Sequence, residues 1–337
     1  METRKIQSVG GGTYTVSLPK EWAESADIVT GSVVELHTHI DDLLVIQPRE
    51  CETDTVVTIE IPIADGDSTH VERTIRAAYA AGIREVVLTG AVRDSHRRTV
   101  GRVARKLTGV TIATETDDRI VVQSMLDAGE VSIQQSVRQL QFVALSLHRE
   151  ATAALAGGLR IDDPSERDDQ ADRLYTLVDR YFSRGLSRLD EVDALGLTRP
   201  ELFTFWSTAR ELERVADHAE RIAGLASEAT AGEATAGELQ RLASESRSVV
   251  EDAVGVALGD TGIEAARTAL ETRQRIRKDA PALERRLFET SDTDYRLARI
   301  IDSLTRTAEH GGNIAEIGLQ SVVRDGGLVE RELASNA

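Results

Sequence analysis

The sequence predicts a multidomain α+β protein, with strands confined to residues 1–127 and helices filling residues 128–330. Three changes of pattern along the 337-residue chain predict this division. The first fifty residues contain short segments rich in β-branched residues, and the next part alternates strand-like with helix-like segments. From residue 128 onward, apolar residues recur at every third or fourth position, which is typical of a helical bundle.

Residues 1–50 form the first predicted domain, with four strands: KIQSV, TYTVSL, SVVELHTH and LLVIQP. Its one short helix is expected to start near Ser17, a good N-cap residue, with Pro19 in the first turn, where the missing N–H costs little. A unit of this size buries little apolar surface alone. The chain has a single cysteine, Cys51, so no intrachain disulfide can stabilise the unit. We therefore predict a homodimer held by residues 1–48. The alternative is a small structural hairpin with ordinary surface charges.

Residues 51–127 form the second predicted domain, a small α/β unit. Its strands and helices are, in order, VVTIEIPI, HVERTIRAAYAAG, REVVLTG, SHRRTVGRVARKLTG, VTIATET and RIVVQSML. The second helix is strongly basic, because residues 93–106 carry a net charge of +5. It is either an anion-binding or DNA-flanking surface, or an ion-paired helix docked on the acidic bundle. The second interpretation fits a chain of net charge −17 better.

Residues 128–230 and 231–330 form the third and fourth predicted domains, each a repeat of three helices. The segments LERVADHAERIA (212–223) and LTRTAEHGGNIA (304–315) match in the same register. This match indicates that the bundle arose by duplication of a three-helix unit.

The composition excludes several classes of protein. A net charge of −17 and a pI near 4.9 exclude a protein that coats nucleic acid by bulk positive charge. One cysteine excludes a disulfide framework, and no apolar run approaches the ~18 residues of a membrane span. The first residues also lack the apolar stretch of a signal peptide, so we expect a cytoplasmic protein. Only four of the 40 basic residues are lysines, a balance that resembles the proteins of salt-loving, halophilic archaea.

The segment RKIQSVGGGTYTVSLPKEW, followed by GSVVELHTH and LLVIQP, resembles the SpoVT–AbrB family of looped-hinge DNA-binding domains. This resemblance covers about 48 residues of the chain. It implies an interlaced dimer in which swapped hairpins complete one small barrel. It further implies that the DNA-binding residues are Arg4, Lys5, Thr13 and Lys20.

Two pairs of carboxylates stand out in the third domain, Asp168 with Asp172 and Glu213 with Asp217. Residues four apart lie one turn apart on the same side of a helix, and each pair flanks an apolar stripe. On adjacent antiparallel helices the pairs would bring four carboxylates together, which suits hard or borderline cations. The alternative is a solvated face, because such spacings arise by chance in an acidic chain.

The segments DDQADRLYTLVDR (168–180) and ELERVADHAERIAG (211–224) resemble the first repeat of PhoU, the phosphate-uptake regulator. That family has two three-helix repeats, each with an E/D-x-x-x-D motif that holds metal ions. The resemblance implies a divalent or trivalent metal ion, such as iron, zinc or magnesium, bound by Asp168, Asp172, Glu213 and Asp217. In the second repeat Thr305 and Glu309 match Glu213 and Asp217, and the counterpart on the preceding helix is Glu271-x-x-x-Arg275. A cation at Arg275 opposes a metal, so no second metal cluster is expected there.

These features together predict a regulator of phosphate uptake that is not an enzyme. Its DNA-binding head would be coupled to a metal-binding helical module, with DNA and a phosphate transporter or phosphate-signalling protein as partners. Two alternatives remain open. The first is a metal-dependent hydrolase, although the chain has no Glu-x-x-His pair and no poised nucleophile. The second is an antitoxin-like or global DNA-binding regulator in which the bundle serves only for oligomerisation.

Overall fold

A computed structural model of the chain describes residues 3–39, 43–48, 58–63, 68–156, 163–289 and 294–326. Cys51 lies outside the described residues. The chain divides into two units, Met1–Val56 and Val57–Ala337. The small α/β part and the helices lie together in the second unit. The fold class is multidomain α+β, as the sequence predicts.

The first unit consists of two antiparallel strand pairs and one short helix. β1 (Gln7–Val9) pairs with β2 (Thr13–Thr15), and β3 (Val34–Thr38) pairs with β4 (Leu44–Pro48). A glycine turn joins β1 to β2, and Gly10 has a φ of +65°, a left-handed conformation that glycine adopts without strain.

The helix of this unit, α1, spans Lys20–Ser25. The predicted start near Ser17 is wrong, because Pro19 precedes the helix with an extended ψ of 128°. The physical reason lies in the proline ring, which disfavours helical geometry at the residue before it. The chain therefore stays extended until Lys20.

Apolar side chains of the first unit are exposed rather than packed. Ile6, Tyr14 and Val29 are 69%, 78% and 71% exposed, and no apolar side chain among the described residues of the unit is buried. One copy of this unit therefore forms no apolar core from its described residues.

The α/β part of the second unit contains a four-stranded sheet in the order β5-β6-β8-β7. β5 and β6 are parallel, and the other neighbours are antiparallel. Apolar residues of both helices pack on one face of β6 and β8, among them Ile75, Val100, Leu88 and Ile120. The elements are β5 (Thr58–Pro62), α2 (Ser68–Ala80), β6 (Glu85–Thr89), α3 (Asp94–Lys106), β7 (Val110–Glu115) and β8 (Arg119–Ser124).

Six long helices and one short helix make up the rest of the described chain: α4 (Ile133–Ala153), α5 (Pro164–Ser187), α6 (Leu189–Ala194), α7 (Arg199–Ala226), α8 (Glu233–Ala257), α9 (Ile263–Phe288) and α10 (Tyr295–Arg324). α4 packs against α5 and α7, and α10 packs against α7, α8 and α9. Gly311 permits the close approach of α10 to α8, because a Cβ there would lie 3.0 Å from the backbone nitrogen of Val250. None of these helices is both long and apolar enough to cross a membrane.

Two buried arginines of α5 join the bundle to the α/β part. Arg180, 1% exposed, donates hydrogen bonds from Nη1 to the carbonyl oxygens of Tyr79 (2.7 Å) and Ile83 (2.9 Å). Arg184 donates to the carbonyl oxygen of Gly82 at 3.1 Å and forms a buried ion pair with Glu191. These bonds supply donors to carbonyls at and just beyond the end of α2, where intrahelical i→i−4 bonds run out. The Tyr79 carbonyl also accepts a bond from the backbone N–H of Gly82 at 3.0 Å. Nothing in the local sequence pattern predicts this connection.

Candidate functional site

The carboxylate pairs lie on two neighbouring helices, α5 and α7. α5 begins at Pro164 after Asp163, whose side chain accepts a hydrogen bond from the backbone N–H of Glu166. α7 begins at Arg199 after a capping box formed by Thr198 and Glu201. Both helices bury the apolar stripes predicted from sequence, including Ala171, Val178, Ala209, Leu212 and Ala216, all of which are fully buried. The predicted carboxylates lie at the edge of this interface and are mostly half-buried.

Electrostatic coupling shows that the two helices bring their carboxylates together. Burial, followed by the nearby carboxylates of Glu220 and Asp172, raises the pKa of Asp168 to about 7. Burial and then Asp217 raise the pKa of Glu213 to about 7. The pKa of Asp172 on α5 is raised by burial and then by Asp217 on α7, so the charges interact across the interface. The arrangement is a concentration of negative charge that is costly unless protons or a cation neutralise it.

Glu220 also belongs to this cluster, although the residues predicted from sequence did not include it. Its Oε1 accepts a hydrogen bond from Ser165 Oγ at 2.7 Å, which links the first turn of α5 to α7. The signal was present, because Glu213, Asp217 and Glu220 follow the i, i+4, i+7 spacing of one helix face. Lys106 of the α/β part reaches Asp169 beside the cluster, with 2.6 Å between Nζ and Oδ1.

The cluster fits a metal ion in its donor chemistry. Oxygen donors suit hard cations, and Asp168 presents a buried Oδ1 with no hydrogen-bond partner, as expected of an atom that could coordinate. However, no three acidic, histidine or cysteine side chains within the described ranges are close enough together to hold one ion. The donor set therefore fits in chemistry and charge, and side-chain rotations would be needed to complete a coordination shell.

The raised pKa values predict how stability depends on pH. Asp168 and Glu213 titrate near pH 7 in the folded protein and near their ordinary, lower values when unfolded, so unfolding between about pH 4 and pH 7 releases protons. The free energy of unfolding should fall as pH rises through this range. Glu213→Gln, which removes one charge, should stabilise the chelator-treated protein at pH 8 by roughly 1–2 kcal/mol.

Urea unfolding at pH 5 and pH 8 measures this effect. Glu284→Gln is the matched control, since Glu284 is exposed on α9 and its charge plays no part in the cluster. The prediction is wrong if the free energy of unfolding changes equally in both variants, or not at all in Glu213→Gln. Repulsion within the cluster would then not destabilise the folded protein.

Arginines neutralise carboxylates of the second repeat, although the arginine at Glu309 is not the expected Arg275. The cation opposite Glu309 is Arg277, which forms an ion pair with it, whereas Arg275 hydrogen-bonds to Thr272. The reason is helix rotation, because residues 275 and 277 differ by about 200° around α9. Arg273 pairs with Glu316 at 2.9 Å. The described part of this repeat therefore contains no counterpart of the carboxylate cluster.

The two repeats meet through equivalent histidines. His218 of α7 and His310 of α10 occupy matching positions in the repeated segments, and their rings stack with centroids 5.4 Å apart. His310 Nδ1 lies 2.8 Å from Glu211 Oε2, which also accepts a hydrogen bond from Asn313 Nδ2 at 2.9 Å. In the sequence His218 stands out only as a neighbour of Asp217. The internal repeat contained a signal, because the two histidines occupy equivalent positions of its two segments.

The residues predicted to contact DNA are exposed in the first unit. Arg4 and Lys5 precede β1, Thr13 is the first residue of β2, and Lys20 is the first residue of α1. Lys20 forms an i,i+4 ion pair with Glu24, 3.5 Å between Nζ and Oε1, while its side chain is 87% exposed. A cation at the first residue of a helix opposes the helix dipole, so this position adds little to stability and is suited to contact an anion.

Comparisons with known proteins match both parts of the chain. Residues 137–226, which span most of α4 and all of α5, α6 and α7, match the model of the PhoU domain. This part of the bundle is therefore similar to a PhoU domain. Residues 7–50 match the MazE family model, described as antidote–toxin recognition in a bacterial antitoxin, so most of the described first unit is similar to a MazE/AbrB-like domain.

One solved structure is similar to the chain. It is PhoU from Streptococcus pneumoniae, a regulatory protein of the phosphate transport system, with 21% identity, a TM-score of 0.39, and coverage of 56% of this chain and 91% of that one. No curated protein sequence matches significantly. All four predicted metal ligands lie within the range matched by the PhoU model.

Proposed function

We propose that the protein is a phosphate-responsive regulator of phosphate uptake in which a metal-binding PhoU-type module acts on a DNA-binding head. The observation that supports this most is the presence of a PhoU domain and a MazE/AbrB-like domain in one chain. A PhoU domain suggests partners in phosphate transport or phosphate signalling, and a head of this type suggests nucleic acid. The function is coupling by binding, with no covalent chemistry and no catalytic residue.

The carboxylate cluster is the proposed ligand site of the module. Asp168, Asp172, Glu213 and Asp217 would hold the cation, whose positive charge would neutralise their repulsion. Arg180 and Arg184 of α5 then give the module a rigid connection to the α/β part, because both bond the chain at the end of α2. A change at α5 caused by cation binding would thus be transmitted to the α/β part of the same unit.

The first unit is proposed to dimerise through residues 1–48. The exposed apolar side chains of β1, β2 and β3 support this. Packing against a second copy would remove their apolar surface from water, which is favourable. The full chain should therefore run as a dimer in light scattering, and a chain truncated to start near residue 52 should remain helical but become monomeric. A dimer that survives the truncation would place the interface in the second unit instead.

DNA binding is proposed to depend on the cations of the head. Arg4→Ala together with Lys5→Ala should weaken binding and reduce the slope of log affinity against log salt by roughly 0.9 for each phosphate that the protein no longer neutralises. The measurement is fluorescence anisotropy with a labelled promoter duplex at several salt concentrations. Arg98→Ala with Arg102→Ala, which removes the same charge from α3, is the comparison. An equal or larger weakening in that variant would mean that the head is not the main DNA surface.

A second candidate function is an antitoxin-like or global regulator in which the bundle only oligomerises. The description of the MazE family as antidote–toxin recognition favours this alternative for the head. Under it, DNA affinity is independent of the carboxylate cluster. Under the proposed coupling, a cation at the cluster changes DNA affinity by about 5- to 150-fold, the usual range for coupled sites.

A further inference from the structure

We propose that the exposed arginine face of α3 binds a short polyphosphate anion, either inorganic polyphosphate or the phosphate chain of a nucleoside polyphosphate. This face consists of Arg98, Arg102 and Arg105, with the half-buried Arg97 beside it. It lies in the α/β part, between the ranges matched by the two family models, and the proposal does not depend on the function proposed above.

The geometry of α3 aligns the guanidinium groups along one side of the helix. Arg98, Arg102 and Arg105 follow the spacing i, i+4, i+7 and all three are exposed. With a rise of 1.5 Å per residue, they cover about 10 Å of helix. Their side chains line an open groove of about 700 Å³, where Ser68 and Ser95 add hydroxyl groups. The opposite side of α3 is buried against the sheet through Val100 and Val103, so the arginines can turn only outward.

Two of these arginines have no ion-pair partner among the described residues, Arg98 and Arg105. Arg102 pairs with Glu72 at 2.8 Å, and Arg97 pairs with Glu115 at 2.7 Å. Lys106, at the last turn, bonds to the bundle through Asp169. The interpretation of α3 as an ion-paired helix docked on the acidic bundle therefore holds for part of the helix and leaves the arginine face open. No carboxylate of the described residues neutralises Arg98 or Arg105 by an ion pair, so an anion between them would be attracted by both charges.

The arginine fork suits phosphate oxygens, because the planar guanidinium can donate two parallel hydrogen bonds to one phosphate group. A polyphosphate chain offers several such groups within the length of the stripe. Orthophosphate would engage one or two arginines, so it should bind more weakly than a chain.

The surroundings favour a short anion over duplex DNA. Carboxylates border the arginine face on both sides, with Asp94, Glu115 and Asp117 near its start and Glu72 beside Arg102. A rigid duplex would extend beyond the ~10 Å stripe and bring its phosphates close to these carboxylates. A short chain stays within the positive region. Asp117 is exposed, so its charge faces any ligand that extends past Arg97.

Isothermal titration calorimetry on the full chain tests the proposal, with tripolyphosphate, ATP, orthophosphate and a 20-base-pair duplex as probes. A chelator is present throughout, so that no divalent cation can bridge a probe to the carboxylate cluster. The test variant is Arg98→Gln with Arg105→Gln. The control is Arg241→Gln with Arg285→Gln, which removes the same charge from exposed positions of α8 and α9.

We expect tripolyphosphate and ATP to bind the unaltered chain more tightly than orthophosphate does. The test variant should weaken both by about tenfold, and the control should leave them unchanged. Equal affinity for the two probes would indicate an inorganic chain, and tighter ATP binding a nucleoside polyphosphate. The proposal is overturned if neither probe binds, or if both variants weaken binding equally. It is also overturned if the test variant loses only duplex binding, since the face would then be a DNA-binding surface.

Discussion

Arg180→Met should lower the free energy of unfolding by about 3 kcal/mol, a large effect for a substitution outside the apolar core. The Arg180 guanidinium is the charged donor for two carbonyl oxygens, those of Tyr79 and Ile83. It also lies over the Tyr79 ring, with Cζ 4.7 Å from the ring centroid. Methionine fills a similar volume but donates no hydrogen bond. The Tyr79 carbonyl would keep only the backbone N–H of Gly82 as a donor, and the Ile83 carbonyl would lose its bond to the guanidinium. An unsatisfied buried acceptor costs more than the bond itself contributes.

Urea unfolding of the full chain measures this change, with Arg173→Met as the control. Arg173 lies two turns earlier on α5 and is exposed, so its replacement should change the free energy by less than about 0.5 kcal/mol. If the two variants unfold at the same urea concentration, the buried bonds between α5 and the end of α2 do not hold the α/β part to the bundle.

Removal of metal should lower the melting temperature of protein purified without chelator. A cation present at about 100 times its Kd stabilises the folded state by roughly 2.7 kcal/mol, because it binds only that state. The raised pKa values of Asp168 and Glu213 supply the electrostatic reason, since burial and then repulsion between carboxylates disfavour their charged forms and a cation stabilises those forms. Binding should also weaken below pH 7, where protons compete for the same oxygens.

Asp172→Asn together with Asp217→Asn should abolish the effect of chelator. Glu309→Gln is the control in the second repeat, where Arg277 already neutralises the carboxylate. The metal-site prediction is wrong if the melting curves respond neither to chelator nor to added divalent cations and elemental analysis finds no metal. The cluster would then be a solvated acidic face.

The helical elements and the carboxylate pairs could be predicted from sequence because they depend on local periodicity. Spacing by four residues put Asp168 beside Asp172, and the apolar stripes faced the core as expected. Local chemistry was less reliable at α1, where the effect of Pro19 on the preceding residue outweighed the capping tendency of Ser17.

Bonds between distant segments could not be predicted in this way. Arg180 reads as an ordinary basic residue in the sequence, and only tertiary packing places it against the carbonyl oxygens of Tyr79 and Ile83. The choice of Arg277 over Arg275 likewise depends on how α9 is rotated against α10, and a shift of two residues moves a side chain to the other side of a helix. The stacking of His218 on His310 depends on how α7 packs against α10, which the repeated segments alone do not determine.

Coupling between the carboxylate cluster and the DNA-binding head is tested most directly by DNase footprinting of the full chain over phosphate-regulated and unrelated promoters, with cation and with chelator. We expect protection from DNase only at the phosphate-regulated promoters. We also expect chelator to change the protein concentration that gives half-maximal protection. Asp172→Asn with Asp217→Asn should make that concentration the same in both conditions. Protection that is the same at both classes of promoter and with or without chelator would contradict the proposed regulator. It would favour a head that binds DNA independently of the helical bundle.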